Sequence, residues 1–308
     1  MDENRRQIGM HYPMETQMAV IVITGSNSGF GLQGALAFAR DGNSVYAGMR
    51  DVSKAEALQS AADAESLSIR VIPLDVSQPE TFEPTISKVI EEAGSIDVLV
   101  NNAGVWRAGT AEDTSEESLR MVMETNFFGP VLLSQVVLPH MRARGKGYVI
   151  MVSSLSGLAG LPGDFSYTAS KFALEGATEV MRHEIDRWGI NVALVEAGMY
   201  ATGILSASVS ADTILPDYYS DDSPYRTLIE AKLAEIRTRL PEAFDPQVVG
   251  ELFVEIAKSD GRRLRWPADP VAEKVLATMF GHDDAERDEF LRDVSGTQWW
   301  SDGKVGPD

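Results

Sequence analysis

The chain has 308 residues, contains no cysteine and carries a formal net charge of −19 at pH 7. The missing cysteines exclude disulfides and thiolate metal sites, and His11, His140, His183 and His282 lack metal-ligand spacing, so we expect no metal. The negative charge disfavours nucleic acid and anionic lipid as partners. No apolar run approaches membrane length and no secretory signal precedes the first strand, which predicts a cytoplasmic protein without a membrane span.

Strand and helix signals alternate along most of the chain. They predict an α/β fold at residues 18–280: a single Rossmann-type, doubly wound parallel sheet with helices on both faces. Residues 1–17 are polar and predict an N-terminal arm. The alternation stops at about 201–237, which predicts a lid over a substrate, and residues 281–308 predict an acidic C-terminal tail.

The first predicted strand, 19–23, runs directly into a glycine-rich turn and then into a helical pattern. Glycines let the backbone approach a pyrophosphate, and the free N–H groups at a helix start attract its negative charge. The spacing G-x-x-x-G-x-G differs from the common dinucleotide-binding fingerprint G-x-G-x-x-G. We expect this turn to bind a cofactor phosphate through Gly25, Asn27, Ser28, Gly29, Phe30 and Gly31.

A second strand, 44–49, completes a βαβ unit and ends at Arg50 and Asp51. A carboxylate at this strand end would bind the ribose hydroxyls of NAD, whereas an arginine would pair with the 2′-phosphate of NADP. Because Met49 occupies the strand tip and Arg50 follows it, NADP(H) is favoured over NAD(H). Two alternatives remain: Arg50 and Asp51 form a solvated pair, or Asp51 binds the ribose.

Further strands are predicted at 69–74, 97–100, 148–152, 190–195 and around 264–266, with long helices at 115–142 and 167–188. The basic cluster 262–265 is interpreted as a solvated strand edge. Both long helices carry wide apolar stripes, which include Phe128 and Phe172. Burial against the sheet explains most of these residues, and a subunit interface is the alternative.

Tyr167 and Lys171 lie one helical turn apart in S-Y-T-A-S-K, so their side chains share a helix face. A tyrosine hydroxyl is a poor acid or base near neutrality, but a positive charge beside it lowers its pKa. The pair therefore predicts a proton-transfer site, with a solvated helix edge as the alternative. Ser154 lies upstream, in the sequence M-V-S-S-L.

The order of these motifs resembles the short-chain dehydrogenase/reductase family from about residue 18 to 270. The resemblance implies a catalytic tetrad of Asn126, Ser154, Tyr167 and Lys171, and the spacing selects Ser154 over Ser153. Asp75 in P-L-D-V would meet the adenine, and N-N-A-G at 101–104 would lie beside the cofactor. The remaining cofactor residues that it implies are Val76, Asn102, Ala103, Gly104, Ala197, Gly198, Tyr200 and Thr202, together with Tyr167 and Lys171.

The resemblance is closest to the hydroxysteroid and retinol dehydrogenase branch, through 45–51 and 167–176. Many relatives have Pro-Gly after the sixth strand, where this chain has Ala197 and Gly198, so the turn at the nicotinamide is expected to be softer. Relatives form dimers through the two long helices, which implies a homodimer or homotetramer.

The resemblance implies hydride transfer between a carbonyl carbon and the nicotinamide, with Tyr167 as general acid or base. Ser154 would bind the carbonyl oxygen, Lys171 would lower the pKa of Tyr167 and bind the ribose, and Asn126 would hold a relay water. We expect an alcohol or ketone substrate that is apolar and contains a ring. The expected substrate residues are Trp106, Ser154, Leu155, Phe165, Met199, Leu205, Tyr218 and Tyr219. Alternatives are an NAD-dependent alcohol dehydrogenase and a non-catalytic cofactor-binding regulatory protein.

Overall fold

The computed structural model describes residues 18–204, 220 and 222–307. Their centre is a seven-stranded, wholly parallel sheet with the strand order β3-β2-β1-β4-β5-β6-β7. The strands are β1 (Val20–Thr24), β2 (Ser44–Met49), β3 (Ile69–Pro73), β4 (Val98–Asn101), β5 (Gly147–Val152), β6 (Ile190–Glu196) and β7 (Arg265–Pro267). Chain order reverses between β1 and β4, so a crevice opens there at the carboxyl ends of the strands.

Helices cover both faces of this sheet, which confirms the predicted doubly wound fold. On one face lie α1 (Gly29–Arg40), α2 (Glu56–Ala64) and α8 (Gln247–Lys258), with Phe38 and Phe253 in their core. On the other lie α3 (Phe82–Ala93), α4 (Glu116–Met123), α5 (Gly129–Arg144) and α6 (Phe165–Ile185). Leu133, Val137 and Leu174 are buried against the sheet there.

A π-helical turn at Glu124–Phe128 joins α4 to α5 into one composite helix. By length and composition alone, this helix, Glu116–Arg144, could cross a membrane, which corrects the expectation that no such run exists. One such helix is weak evidence for a membrane span, because the core helix of a soluble protein passes the same test of length and composition. Here Leu133, Val137 and Met141 are buried on the sheet.

The last helices are α7 (Arg226–Arg239), α9 (Pro270–Gly281), α10 (Asp284–Val294) and α11 (Gln298–Ser301). The segment predicted as an acidic tail is therefore largely helical. Trp299 is buried, and the ring of Trp300 lies 5.6 Å from it and 6.2 Å from the ring of Tyr225 at the start of α7. The tryptophan pair thus holds the C-terminal helices against the body of the protein.

Arg265 in β7 corrects the prediction of a solvated basic edge. Its guanidinium lies 2.9 Å from Glu175, 2.7 Å from Glu179 and 3.9 Å from Glu196. Glu175 and Glu196 are buried, so Arg265 compensates charge inside the fold. Arg262, in contrast, remains mostly exposed beside Asp260.

Candidate active site

The glycine-rich turn between β1 and α1 lies at the crevice. Gly25 and Gly29 have φ values of +69° and +54°, which favour glycine. A Cβ at Gly31 would lie 2.3 Å from the carbonyl oxygen of Gly25, so Gly31 lets the helix start close against the turn. Ser28 is the N-cap of α1 and makes no side-chain capping bond, so the helix start is available to an anion.

The loop after β4 is held against the glycine-rich turn by hydrogen bonds. The Asn102 amide side chain donates to the carbonyl oxygens of Thr24 (2.8 Å) and Gly25 (3.3 Å). The Thr24 hydroxyl accepts from the backbone N–H groups of Asn102 (3.0 Å) and Ala103 (2.9 Å). Asn102 therefore fixes the shape of the crevice, and its side chain is committed to the protein backbone.

Arg50 and Asp51 differ in their surroundings after β2. The Asp51 carboxylate caps a short helical turn by accepting from the Ser53 N–H (3.0 Å) and hydroxyl (2.6 Å), and these bonds lower its pKa. Arg50 is exposed and lines the cavity, whereas Asp51 does not. Further along the cavity wall, the Asp75 carboxylate similarly accepts from Ser77.

Ser154 and Tyr167 both line the cavity, and the Ser154 hydroxyl lies beside that of Tyr167. Ser154 lies just after β5 and caps a short helical turn by accepting from the Ser156 N–H at 3.2 Å. Tyr167 lies in the first turn of α6. Burial raises the pKa of Tyr167 to about 12, the neighbouring Ser154 hydroxyl opposes this rise, and the charge of Asp164 adds to it. Tyr167 is therefore protonated at neutral pH.

Lys171 lies one turn further along α6 and is buried. Its ammonium donates to the carbonyl oxygen of Val152 at 2.8 Å and lies 5.6 Å from the centre of the Tyr167 ring. Burial lowers the pKa of Lys171 to about 8, and Glu175 opposes this fall. The structure thus places the pair as predicted, but it does not give the low tyrosine pKa that was expected from their proximity.

The π turn presents Asn126 to the loop after β4. Its side-chain oxygen accepts from the Val105 N–H (2.8 Å), and its amide donates to the Val105 carbonyl (2.9 Å) and to Ser170 (3.1 Å). Asn126 does not line the cavity. In this structure it holds the Val105 loop against α6, and its contact with a relay water stays a prediction.

The turn after β6 is held by Asp269, although it lacks the proline of many relatives. The Gly198 N–H donates to Asp269 at 2.8 Å, and a Cβ at Gly198 would lie 2.9 Å from that carboxylate. The other Asp269 oxygen caps α9 by accepting from the N–H groups of Val271 and Ala272. This bond restrains the turn, which bears against the expectation that it is soft.

These groups surround one cavity of about 560 Å³. The predicted residues that line it are Gly25, Asn27, Ser28, Gly29, Phe30, Arg50, Asp75, Val76, Asn102, Ala103, Gly104, Trp106, Ser154, Leu155, Tyr167, Lys171, Ala197, Gly198, Met199, Tyr200 and Thr202. Phe165 does not line it and is 42% exposed, so it is not placed as a substrate residue. Leu205, Tyr218 and Tyr219 lie outside the described residues. Within the described part of the chain, no cluster of titratable side chains could hold a metal ion.

Sequence reasoning missed several residues of the cavity wall. Val294 and Ser295 come from the C-terminal segment, and Asp164 and Lys232 meet there from distant parts of the chain. Behind the cavity wall, Asp269 holds the turn after β6, and it did carry a usable sequence signal, because an aspartate followed by proline is typical of a helix start.

Comparisons with known proteins agree with this geometry. Residues 19–213 match the short chain dehydrogenase family. The chain is 38% identical over 251 residues to the uncharacterized oxidoreductase YusZ of Bacillus subtilis, covering 80% of this chain and 88% of that protein. It is 40% identical over 197 residues to retinol dehydrogenase 8 of Homo sapiens, covering 62% of each chain.

A solved short-chain dehydrogenase from Streptomyces avermitilis superposes with a TM-score of 0.72 at 29% identity, covering 94% of this chain and 98% of that chain. The fold of this chain is thus shared with a solved short-chain dehydrogenase over almost the whole length of both chains. The chain belongs to the short-chain dehydrogenase/reductase family, whose oxidoreductases act on CH–OH or carbonyl groups with a nicotinamide cofactor.

Proposed function

We propose that the protein is an NADP(H)-dependent oxidoreductase that interconverts a secondary alcohol and a ketone. The preference for NADP(H) is inferred from the different surroundings of Arg50 and Asp51 after β2. Arg50 lines the cavity, while the Asp51 carboxylate is occupied by Ser53. An arginine suits the 2′-phosphate of NADP, and a committed carboxylate is a poor acceptor for the ribose hydroxyls of NAD.

The groups around the cavity fit a nicotinamide cofactor. The glycine-rich turn and the start of α1 would hold its phosphates, Lys171 would reach the ribose, and Thr202 and the turn after β6 would lie at the nicotinamide. The cofactor, when bound, supplies or accepts the hydride.

Ser154 and Tyr167 supply the proton chemistry. Ser154 would bind the substrate oxygen, and the Tyr167 hydroxyl beside it would donate a proton as the carbonyl becomes an alcohol. Burial raises the pKa of Tyr167 to about 12, so its hydroxyl carries the proton that reduction requires at neutral pH. In the reverse direction the phenolate would accept the proton of the alcohol.

The substrate end of the cavity supports an apolar, ring-containing molecule. Trp106, Leu155, Leu161 and Met199 supply apolar surface beside the Ser154 and Tyr167 hydroxyls. Besides Arg50 and Lys171, the cations that line the cavity are already paired: Lys232 with Asp164 at 2.8 Å, and Arg239 with Glu235 at 3.0 Å. A strongly anionic substrate would have to break these pairs, so we propose that neutral ketones are preferred.

The apolar residues that remain exposed on the long helices support a homodimer or homotetramer. Phe128 is 41% exposed, Phe172 45% and Val180 57%. A second copy covering these side chains would remove them from water.

An assay of NADPH oxidation with a panel of ketones tests the function. We expect aromatic and alicyclic ketones to be reduced faster than keto acids and sugar phosphates, and NADPH to be used in preference to NADH. A clear preference for the charged substrates would contradict the proposed pocket, and equal affinity for the two cofactors would contradict the role of Arg50.

A further inference from the structure

A buried ion pair outside the catalytic tetrad lies in the cavity wall. The Lys232 ammonium is 2.8 Å from one oxygen of the Asp164 carboxylate, with side-chain exposures of 15% and 7%. The other oxygen accepts from the Trp106 indole N–H at 2.8 Å. Lys232 also donates to the carbonyl oxygen of Pro162 at 2.9 Å. Both carboxylate oxygens of Asp164 are therefore occupied.

The ion pair joins three segments that are far apart in sequence: the loop after β4, the start of α6 and helix α7. The backbone at Gly163 has a φ of +81°, and a Cβ there would lie 2.9 Å from Ile229 and 3.0 Å from Lys232. A larger residue would strain the backbone at this φ and displace the ends of these two side chains. Gly163 thus leaves room for the Lys232 side chain where it reaches Asp164.

Asp164 precedes Tyr167 by three residues, so the two side chains lie near one another at the start of α6. Both line the cavity, and Trp106 packs in the same apolar cluster as Tyr167. A carboxylate in this position disfavours the negative phenolate, and its charge raises the pKa of Tyr167. An ammonium paired with that carboxylate opposes the effect.

Other charged groups around Tyr167 act from different directions. Lys171 approaches the ring from the same helix, and Glu175 lies one turn beyond it. From the α7 side, Glu235, Arg239 and Glu242 line the cavity, and Arg239 is paired with Glu235. Arg50 and Asp75 also line the cavity, among the residues predicted to bind the cofactor. Of these groups, only Asp164 lies in the turn that precedes Tyr167 and carries a buried counter-ion.

We propose that Lys232 is a positioning residue for catalysis, which neutralises the Asp164 carboxylate beside Tyr167 and so makes the phenolate accessible during alcohol oxidation. The inference rests on the proposed function, because it assigns Tyr167 the proton transfer. It gives α7 an electrostatic role in the reaction in addition to its place in the cavity wall.

The test is the pH dependence of NADP-linked alcohol oxidation in wild type and in single and double variants that remove the charges of Lys232 and Asp164. Below the pKa of Tyr167 the oxidation rate should rise with pH, and this rising part of the pH–rate profile is called the limb. A shift in the pKa of Tyr167 is then measured as a fold-change in the rate at a fixed pH on the limb. Lys232→Met should lower the rate about tenfold along this limb, and Asp164→Asn should raise it by a similar factor. The double variant Lys232→Met/Asp164→Asn should return close to wild type, and Lys232→Arg should retain the wild-type limb.

Lys258→Met is the matched control, because it removes an ammonium that is paired with Asp41 outside the cavity. It should leave the limb in place. If Lys232→Met proves unfolded, Asp164→Asn alone tests the inference. A merely structural role of the Lys232–Asp164 pair predicts lower activity in this variant, whereas the electrostatic role predicts higher activity. A pH limb that coincides in wild type, Lys232→Met and Asp164→Asn would overturn the inference.

Failure of the proposed function would be distinguishable from failure of the inference about Lys232. If wild type oxidised no alcohol, Tyr167 could be titrated directly by ultraviolet difference absorbance against Tyr167→Phe. The inference then requires the tyrosinate to form at higher pH in Lys232→Met than in wild type, and equal titration curves would overturn it.

Discussion

Replacing Arg50 with alanine should selectively weaken NADPH binding. Arg50 is exposed and lines the cavity, while Asp51 is committed to Ser53, so the arginine is the group available at this strand end for a 2′-phosphate. A charge-assisted hydrogen bond is worth about 1.5–3 kcal/mol, which corresponds to a roughly 10- to 150-fold weaker affinity. The exposure of Arg50 places the expected loss toward the smaller value.

Titration of NADPH and NADH into wild type and Arg50→Ala, followed by fluorescence or calorimetry, measures this loss. NADH affinity should change little, because it lacks the 2′-phosphate. Arg262→Ala is a suitable control, since it removes an exposed arginine that does not line the cavity. An equal loss of affinity for both cofactors in Arg50→Ala would refute the assignment of Arg50 to the 2′-phosphate.

Three further predictions concern catalysis and stability. Tyr167→Phe should lower ketone reduction by about 10²- to 10⁴-fold while NADPH binding persists, and near wild-type turnover would require another proton donor. Arg265→Met should lower the free energy of unfolding by about 3–5 kcal/mol, measured by denaturant titration, because it leaves the buried Glu175 carboxylate without its counter-ion. Burial and the neighbouring Glu175 raise the pKa of Glu196 to about 9, so the folded state holds a proton that the unfolded state releases above its ordinary pKa of 4.5. The free energy of unfolding should therefore fall as the pH rises from 4.5 to about 9, by at most about 1.4 kcal/mol per pH unit. Glu196→Gln should make this fall less steep, and an equal slope in wild type and Glu196→Gln would contradict the prediction.

The sheet was predictable because each central strand is a short apolar run between turn signals, and such runs form buried parallel strands. The sixth strand, predicted at 190–195, is observed as Ile190–Glu196. The acidic C-terminal segment was harder to predict, because helix α10 is largely polar and helix α11 has only four residues, which pack through contacts such as that of Trp300 with Tyr225.

The shared helix face of Tyr167 and Lys171 followed from local spacing, whereas the cavity wall did not. Phe165 lies two residues before Tyr167 on α6 and so faces almost the opposite direction, which explains its exposure. Lys232 meets Asp164 only because α7 packs across the start of α6. Arg265 could not be recognised as buried from its neighbours in sequence, since its partners Glu175 and Glu179 come from α6.

Hydride transfer from NADPH to an apolar ketone is the activity that we propose for this chain. Incubation of the purified protein with NADPH that carries deuterium at the transferable position, together with an aromatic or alicyclic ketone, tests it most directly. We predict that the deuterium appears on the carbinol carbon of the product with wild type and that Tyr167→Phe strongly slows its appearance. NADPH binding without any transfer of deuterium to a panel of ketones would contradict the account.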